Sequence, residues 1–86
     1  MGIDKKKIIK NHCYTELVYG RINKKLSTNF SNEESELLIK KVLEETGIEY
    51  YEKKGKNFYI RNKKHNIKIT INSNTFRVIT VDKIVK

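Results

Sequence analysis

From residue 48 onward, side chains alternate between apolar and polar, and turn-forming residues cut the alternation into four runs, 48–52, 57–61, 67–72 and 75–82. A period of two places successive side chains on opposite faces of a strand. The pattern therefore predicts a four-stranded antiparallel sheet with one apolar face. Turn chemistry suggests the registers. Asn72-Ser73-Asn74-Thr75 suits a two-residue hairpin turn, because asparagine tolerates positive φ. That turn pairs Ile71 with Phe76, Ile69 with Val78, and Thr70 with Arg77. A four-residue loop, Asn62-Lys63-Lys64-His65, pairs Ile60 with Ile67 and Tyr59 with Lys68. A three-residue loop, Lys53-Lys54-Gly55, sets Ile48 opposite Ile60 and Tyr50 opposite Phe58. The second and third registers agree on which face is apolar. The three-residue loop is preferred for the first hairpin, because a two-residue Lys54-Gly55 turn would push Glu49 inward, and the apolar face then collects Ile48, Tyr50, Phe58, Ile60, Ile67, Ile69, Ile71, Phe76 and Val78. The other face collects Tyr51, Tyr59, Lys68, Thr70 and Arg77, with Arg61 at a strand end and Ile79 and Val81 toward the C-terminus.

Two helices are predicted before the sheet. The first spans about 5–26, with Asp4 as its cap. Ile9, Cys13 and Leu17 form one apolar row, and Tyr14, Val18, Ile22 and Leu26 form a second beside it. Gly20 interrupts this stripe at a cost of about 1 kcal/mol relative to alanine, and is where the segment would divide into two helices. The second helix spans about 32–46. Ser31 and Glu34 read as a capping box. Leu37, Leu38, Ile39, Val42 and Leu43 are expected inward, Glu36 pairs with Lys40 on the surface, and Gly47 supplies a left-handed stop. The expected architecture is α+β: two N-terminal helices packed on one face of a four-stranded antiparallel sheet, in a single domain of residues 1–86. At this length, area scaling gives burial of roughly 60–65% of the surface, enough for one modest core.

No apolar run approaches the length of a membrane span. The first residues carry lysines with no long apolar stretch behind them, unlike a secretory signal. Lys6 stands where a myristoylation motif needs serine or threonine. The expectation is a cytoplasmic protein with no membrane partner. One cysteine excludes an intramolecular disulfide framework.

The formal net charge is +9. Residues 1–30 carry seven basic and two acidic groups, residues 31–47 two and five, and residues 48–86 ten and three, so the segments contribute +5, −3 and +7. Basic segments flanking an acidic helix suit a polyanionic partner. The charge has a second source. Sixteen of the nineteen basic residues are lysine, and Lys, Asn and Ile make 37 of the 86 residues, a bias that AT-rich coding also produces.

The polar sheet face is the candidate site. Aromatic rings beside cations meet what a single-stranded nucleic acid needs, which is base stacking and phosphate contact. Tyr59, Arg61, Lys68, Thr70 and Arg77 are the candidate contacts, with Lys63, Lys64 and His65 in the adjoining loop. The same residue types also make an ordinary solvated sheet face or a face for a protein partner, including a second copy of the chain. The acidic start of the second helix has a sufficient explanation in capping and the helix dipole. No zinc, calcium or phosphate-loop pattern is present, so no metal or cofactor is expected. His12 lies beside the core stripe and reads as structural. Cys13 falls within the stripe and is expected to be buried.

The runs Tyr14-Thr15-Glu16-Leu17-Val18-Tyr19, Arg21-Ile22-Asn23-Lys24-Lys25-Leu26, Ile69-Thr70-Ile71-Asn72-Ser73 and Phe76-Arg77-Val78-Ile79-Thr80-Val81-Asp82 resemble a family of small uncharacterised bacterial proteins, a domain of unknown function. The resemblance covers nearly the whole chain and implies no activity. In architecture alone, helices followed by a compact antiparallel sheet are also similar to ribonuclease toxins of the RelE and barnase-like kind. That likeness implies RNA cleavage on a basic sheet face, with His65, Tyr59, Arg61, Lys68 and Arg77 supplying acid, base and cations. A protein-interaction or regulatory module is the third reading.

Overall fold

Asp4 begins the ordered helical structure by accepting a hydrogen bond from the Lys7 backbone N–H at 3.0 Å. The computed structural model describes residues 3–84. The elements run α1 (Lys5–Asn11), α2 (Glu16–Leu26), α3 (Asn32–Glu45), a 3₁₀ turn (Ile48–Tyr50), then β1 (Tyr51–Lys54), β2 (Asn57–Asn62), β3 (Ile67–Asn72) and β4 (Val78–Lys83). The fold class is α+β, with three α-helices where two were expected.

The long first helix divides at residues 12–15, not at Gly20. Gly20 lies inside α2 on an exposed face. At the division, the backbone bonds of Cys13 go to the sheet: its N–H donates to the Phe76 carbonyl at 2.9 Å, and its carbonyl accepts from the Val78 N–H at 2.9 Å. The result is a parallel bridge between Cys13 and Arg77 beside the start of β4. His12 Nδ1 meanwhile lies 2.6 Å from the Ile9 carbonyl at the end of α1. Tertiary pairing has replaced two helical hydrogen bonds, and Cys13 is exposed instead of buried. The Asn23 side chain turns the chain after α2. Its Oδ1 accepts from Thr28 Oγ1 and from the Phe30 N–H, each at 2.9 Å, and its Nδ2 donates to the Phe30 carbonyl at 3.0 Å.

The capping box of α3 forms as expected. Ser31 Oγ accepts from the Glu34 N–H at 3.1 Å, and Glu34 Oε1 accepts from the Ser31 N–H at 2.8 Å. The end of the helix differs. Gly47 is extended at φ −65°, and its missing Cβ makes room for the Glu49 carboxylate. The Glu36 carboxylate accepts from the Tyr19 hydroxyl and forms no ion pair with Lys40 among the described residues.

The sheet is an antiparallel meander of order β1-β2-β3-β4. All three registers differ from those expected. Gly55 at φ +58° makes Gly55-Lys56 a two-residue turn, and Tyr51 pairs with Ile60. Tyr51 therefore enters the core at 6% exposure, whereas Ile48 and Tyr50 stand on the 3₁₀ turn, each 48% exposed. The second loop is 63–66, closed by Asn66 at φ +60°, so that Ile60 pairs with Ile69 and Tyr59 with Thr70. That shift is two residues and leaves the faces unchanged. In the third hairpin, Phe76 adopts φ +59° and the Asn72 side chain accepts from the N–H groups of Asn74 and Thr75. Ile71 pairs with Val78 and Thr70 with Thr80, leaving Ile79 as an extra residue in a bulge. The bulge turns Val81 inward, where it is fully buried.

One hydrophobic cluster joins this sheet face to Ile8 of α1, to Val18, Ile22 and Leu26 of α2, and to Ile39, Val42 and Leu43 of α3. Leu17 and Leu37, both expected inward, are 77% and 68% exposed. The hydroxyl of Tyr51 reaches across the core to the Leu43 carbonyl at 2.7 Å, satisfying an acceptor near the end of α3.

Candidate nucleic-acid interface

The strands carry their polar residues outward in two rows. Tyr59, Thr70 and Thr80 oppose one another across β2, β3 and β4; one step along, Arg61, Lys68 and Asp82 do the same. Each row lies between core residues of the alternation: Ile60, Ile69 and Val81 are all buried at 0% exposure. β1 adds Glu52 opposite Tyr59.

Within this grid, Lys68 Nζ stands 6.0 Å from the centroid of the Tyr59 ring, a cation–π contact. Asn57 Nδ2 lies 3.4 Å from the Tyr59 hydroxyl. Arg61 is exposed beside Lys68. Neither Arg61 nor Lys68 is in an ion pair among the described residues, whereas Asp82 pairs with Lys25 of α2 at 3.3 Å. Thr70 is 6% exposed, so it supports the face from beneath.

The remaining candidates lie apart. Arg77 opposes Asn72, whose N–H donates to the Arg77 carbonyl at 2.9 Å. Asn72 is four residues along β3 from Lys68, a separation of roughly 13 Å. The expected pairing of Arg77 with Thr70 is thus replaced by Thr80 with Thr70, and that of Tyr59 with Lys68 by Tyr59 with Thr70. In the β2–β3 loop, Lys63 is exposed, while Lys64 and His65 turn to Glu45 at the end of α3. His65 Nε2 lies 2.8 Å and Lys64 Nζ 3.8 Å from Glu45 Oε1. The His65 hydrogen bond, helped by the nearby Lys64, holds the Glu45 carboxyl below its usual value against a smaller opposing effect of burial.

A depression on the β1 side of the face is lined by Glu49, Tyr50, Tyr51, Glu52, Tyr59 and Arg61. Tyr50 and Glu52 are additional to the residues expected from sequence, since the three-residue loop puts Tyr50 in the core. Gly55 as the first residue of a two-residue turn was the signal for the true register.

A second polar cluster lies away from the sheet. His12 Nε2 is 2.9 Å from the Tyr14 hydroxyl, and the Tyr14 and Tyr19 rings stack at 5.7 Å. The Ile9 carbonyl can only accept, so Nδ1 of His12 carries a proton, and the Tyr14 hydroxyl also lies 3.4 Å from the Glu36 carbonyl. The hydrogen bond to Glu36 is the main cause that pushes the Tyr19 phenol up to about 12, and burial raises that of Tyr14. His12 here fastens the end of α1 to Tyr14.

Among the described residues, no group of three or more His, Cys, Asp or Glu side chains is placed to hold a metal ion, and no helix is long and apolar enough to cross a membrane.

The geometry defines a small α+β protein with an aromatic face of mixed charge. The chain belongs to the family described as Protein of unknown function (DUF3781), whose model matches residues 6–82. No curated protein and no solved structure matches the chain.

Proposed function

We propose that the outer sheet face binds RNA or another single-stranded nucleic acid. The observation that carries this reading is the placement of Lys68 over the Tyr59 ring with Arg61 directly opposite Lys68. A ring beside two cations without carboxylate partners joins a stacking surface to phosphate-binding charge. The basic balance of residues 48–86 supports the same reading.

Two phosphate contacts on a single strand give a slope of about −1.4 in log affinity against log salt, so binding falls roughly sevenfold between about 50 and 200 mM salt. Fluorescence anisotropy with a labelled RNA octamer measures it. Arg61→Ala or Lys68→Ala should reduce the slope by about 0.7 each. Tyr59→Ala should weaken binding by about 1–3 kcal/mol at every salt concentration. Absent or salt-independent binding would sink the reading, and a protein captured through Tyr59 and Arg61 in its place would assign the face to protein recognition.

A further inference from the structure

The geometry points to a guanine-selective subsite in the depression between β1 and β2, an inference that rests on the single-strand reading above. A face that bound only phosphates would gain nothing from carboxylates, yet Glu49 and Glu52 border this depression together with Tyr50, Tyr59 and Arg61. Glu52 is exposed on β1, paired with Tyr59 through the backbone, and its carboxylate is in no ion pair among the described residues. Tyr50 immediately precedes β1 and is 48% exposed, a large exposure for an aromatic residue outside the core. The depression has a volume of about 410 Å³, room for one planar base between residues of the two strands.

The donor and acceptor pattern selects the base. An ionised carboxylate only accepts, through two oxygens in one plane. Guanine presents two adjacent donors, N1–H and the N2 amino group, on its Watson–Crick edge. Adenine, cytosine and uracil each present an acceptor within the matching pair of positions, and that acceptor would face a carboxylate oxygen. Unpaired bases are read on this edge when they are splayed from a single strand. The structure assigns the reading to Glu52, held on β1 by its pairing, with stacking to Tyr50 and Tyr59 and the flanking phosphate to Arg61.

The test uses the full chain and labelled uridine octamers that carry one central guanosine, inosine, adenosine or uridine, compared by anisotropy. Guanosine should bind roughly five- to a hundredfold more tightly than adenosine or uridine, the range of one good paired base contact. Inosine keeps N1–H but lacks the N2 amino group, and should fall between them. Glu52→Gln should bring guanosine and adenosine to within about twofold of each other while binding of the all-uridine octamer persists or tightens, because a negative charge is removed from a phosphate-binding face. Equal binding of guanosine and adenosine octamers by the unmodified protein overturns the guanine subsite but leaves the single-strand reading intact. Retention of the preference in Glu52→Gln overturns the assignment to Glu52. No binding of any octamer overturns both readings.

Discussion

Replacing Asn62 by alanine should destabilise the fold by about 2–3 kcal/mol. Asn62 ends β2 on the core-facing side and is 5% exposed. Its Nδ2 donates to Thr46 Oγ1 at 2.9 Å, and its Oδ1 accepts from the His65 N–H at 2.8 Å. Thr46 Oγ1 passes the chain on, donating to the Val42 carbonyl at 2.5 Å. One amide thereby ties the β2–β3 loop to the last turn of α3. Each lost bond costs about 0.5–1.5 kcal/mol, and a buried partner left without one adds to this. For a chain of this size, each kcal/mol shifts Tm by about 4–8 °C, so Asn62→Ala should melt roughly 8–24 °C lower. Thr46→Val keeps the shape and removes the hydroxyl that accepts from Asn62. Both substitutions break the same bond, so the double variant should cost about 1 kcal/mol less than the sum of the single variants. Urea unfolding of the four proteins, followed by circular dichroism, measures the cycle. Additivity within about 0.3 kcal/mol would refute the coupling, and a cost below about 0.5 kcal/mol for Asn62→Ala would refute its structural role.

Gly20 lies within α2, and nothing stands within 4 Å of where a Cβ would be. Gly20→Ala should therefore stabilise by up to about 1 kcal/mol in thermal melts; destabilisation would mean that α2 is not continuous through this residue. The Glu45 carboxyl is held low chiefly by its hydrogen bond to His65. Its contribution to stability is present above the unfolded carboxylate value and is lost as pH falls through the lower folded value. His65→Ala should move the Glu45 midpoint upward in a carbon-detected NMR titration, and an unmoved midpoint would show that the bond does not form in solution.

The elements with local causes were legible in the sequence. Ser31 and Glu34 satisfy each other within four residues, so the start of α3 could be read directly. The alternation of Phe58, Ile60, Ile67, Ile69 and Ile71 identified the core face of β2 and β3 even though their register was two residues off, because a shift of two preserves the faces. Odd shifts did not survive. The two-residue turn at Gly55-Lys56 reversed β1, exchanging Tyr51 for Ile48 and Tyr50, and the bulge at Ile79 reversed the end of β4, bringing in Val81. The division of the first helix had no local signal. Its cause is the bonding of Cys13 to the backbone of Phe76 and Val78, and the sequence around Cys13 reads as an unbroken helical stripe. For the site, the cluster of Tyr59, Arg61 and Lys68 was legible from strand alternation, while the departure of Arg77 and the arrival of Tyr50 and Glu52 followed from those registers.

The Cys13 bridge also sets how the chain's entropy is distributed. Every sheet ladder joins consecutive strands through a loop of two to five residues, so each closes cheaply. The bridge instead pairs Cys13 with Arg77, and its first hydrogen bond closes on the Phe76 carbonyl, 63 residues away. The length-dependent cost of closing such a loop is roughly 3.7 kcal/mol, which must be repaid by two backbone hydrogen bonds and the burial of residues such as Ile8. The meander is topologically complete without that closure. The N-terminal segment is its non-local clasp, and the free edge of β4 is what it fastens to.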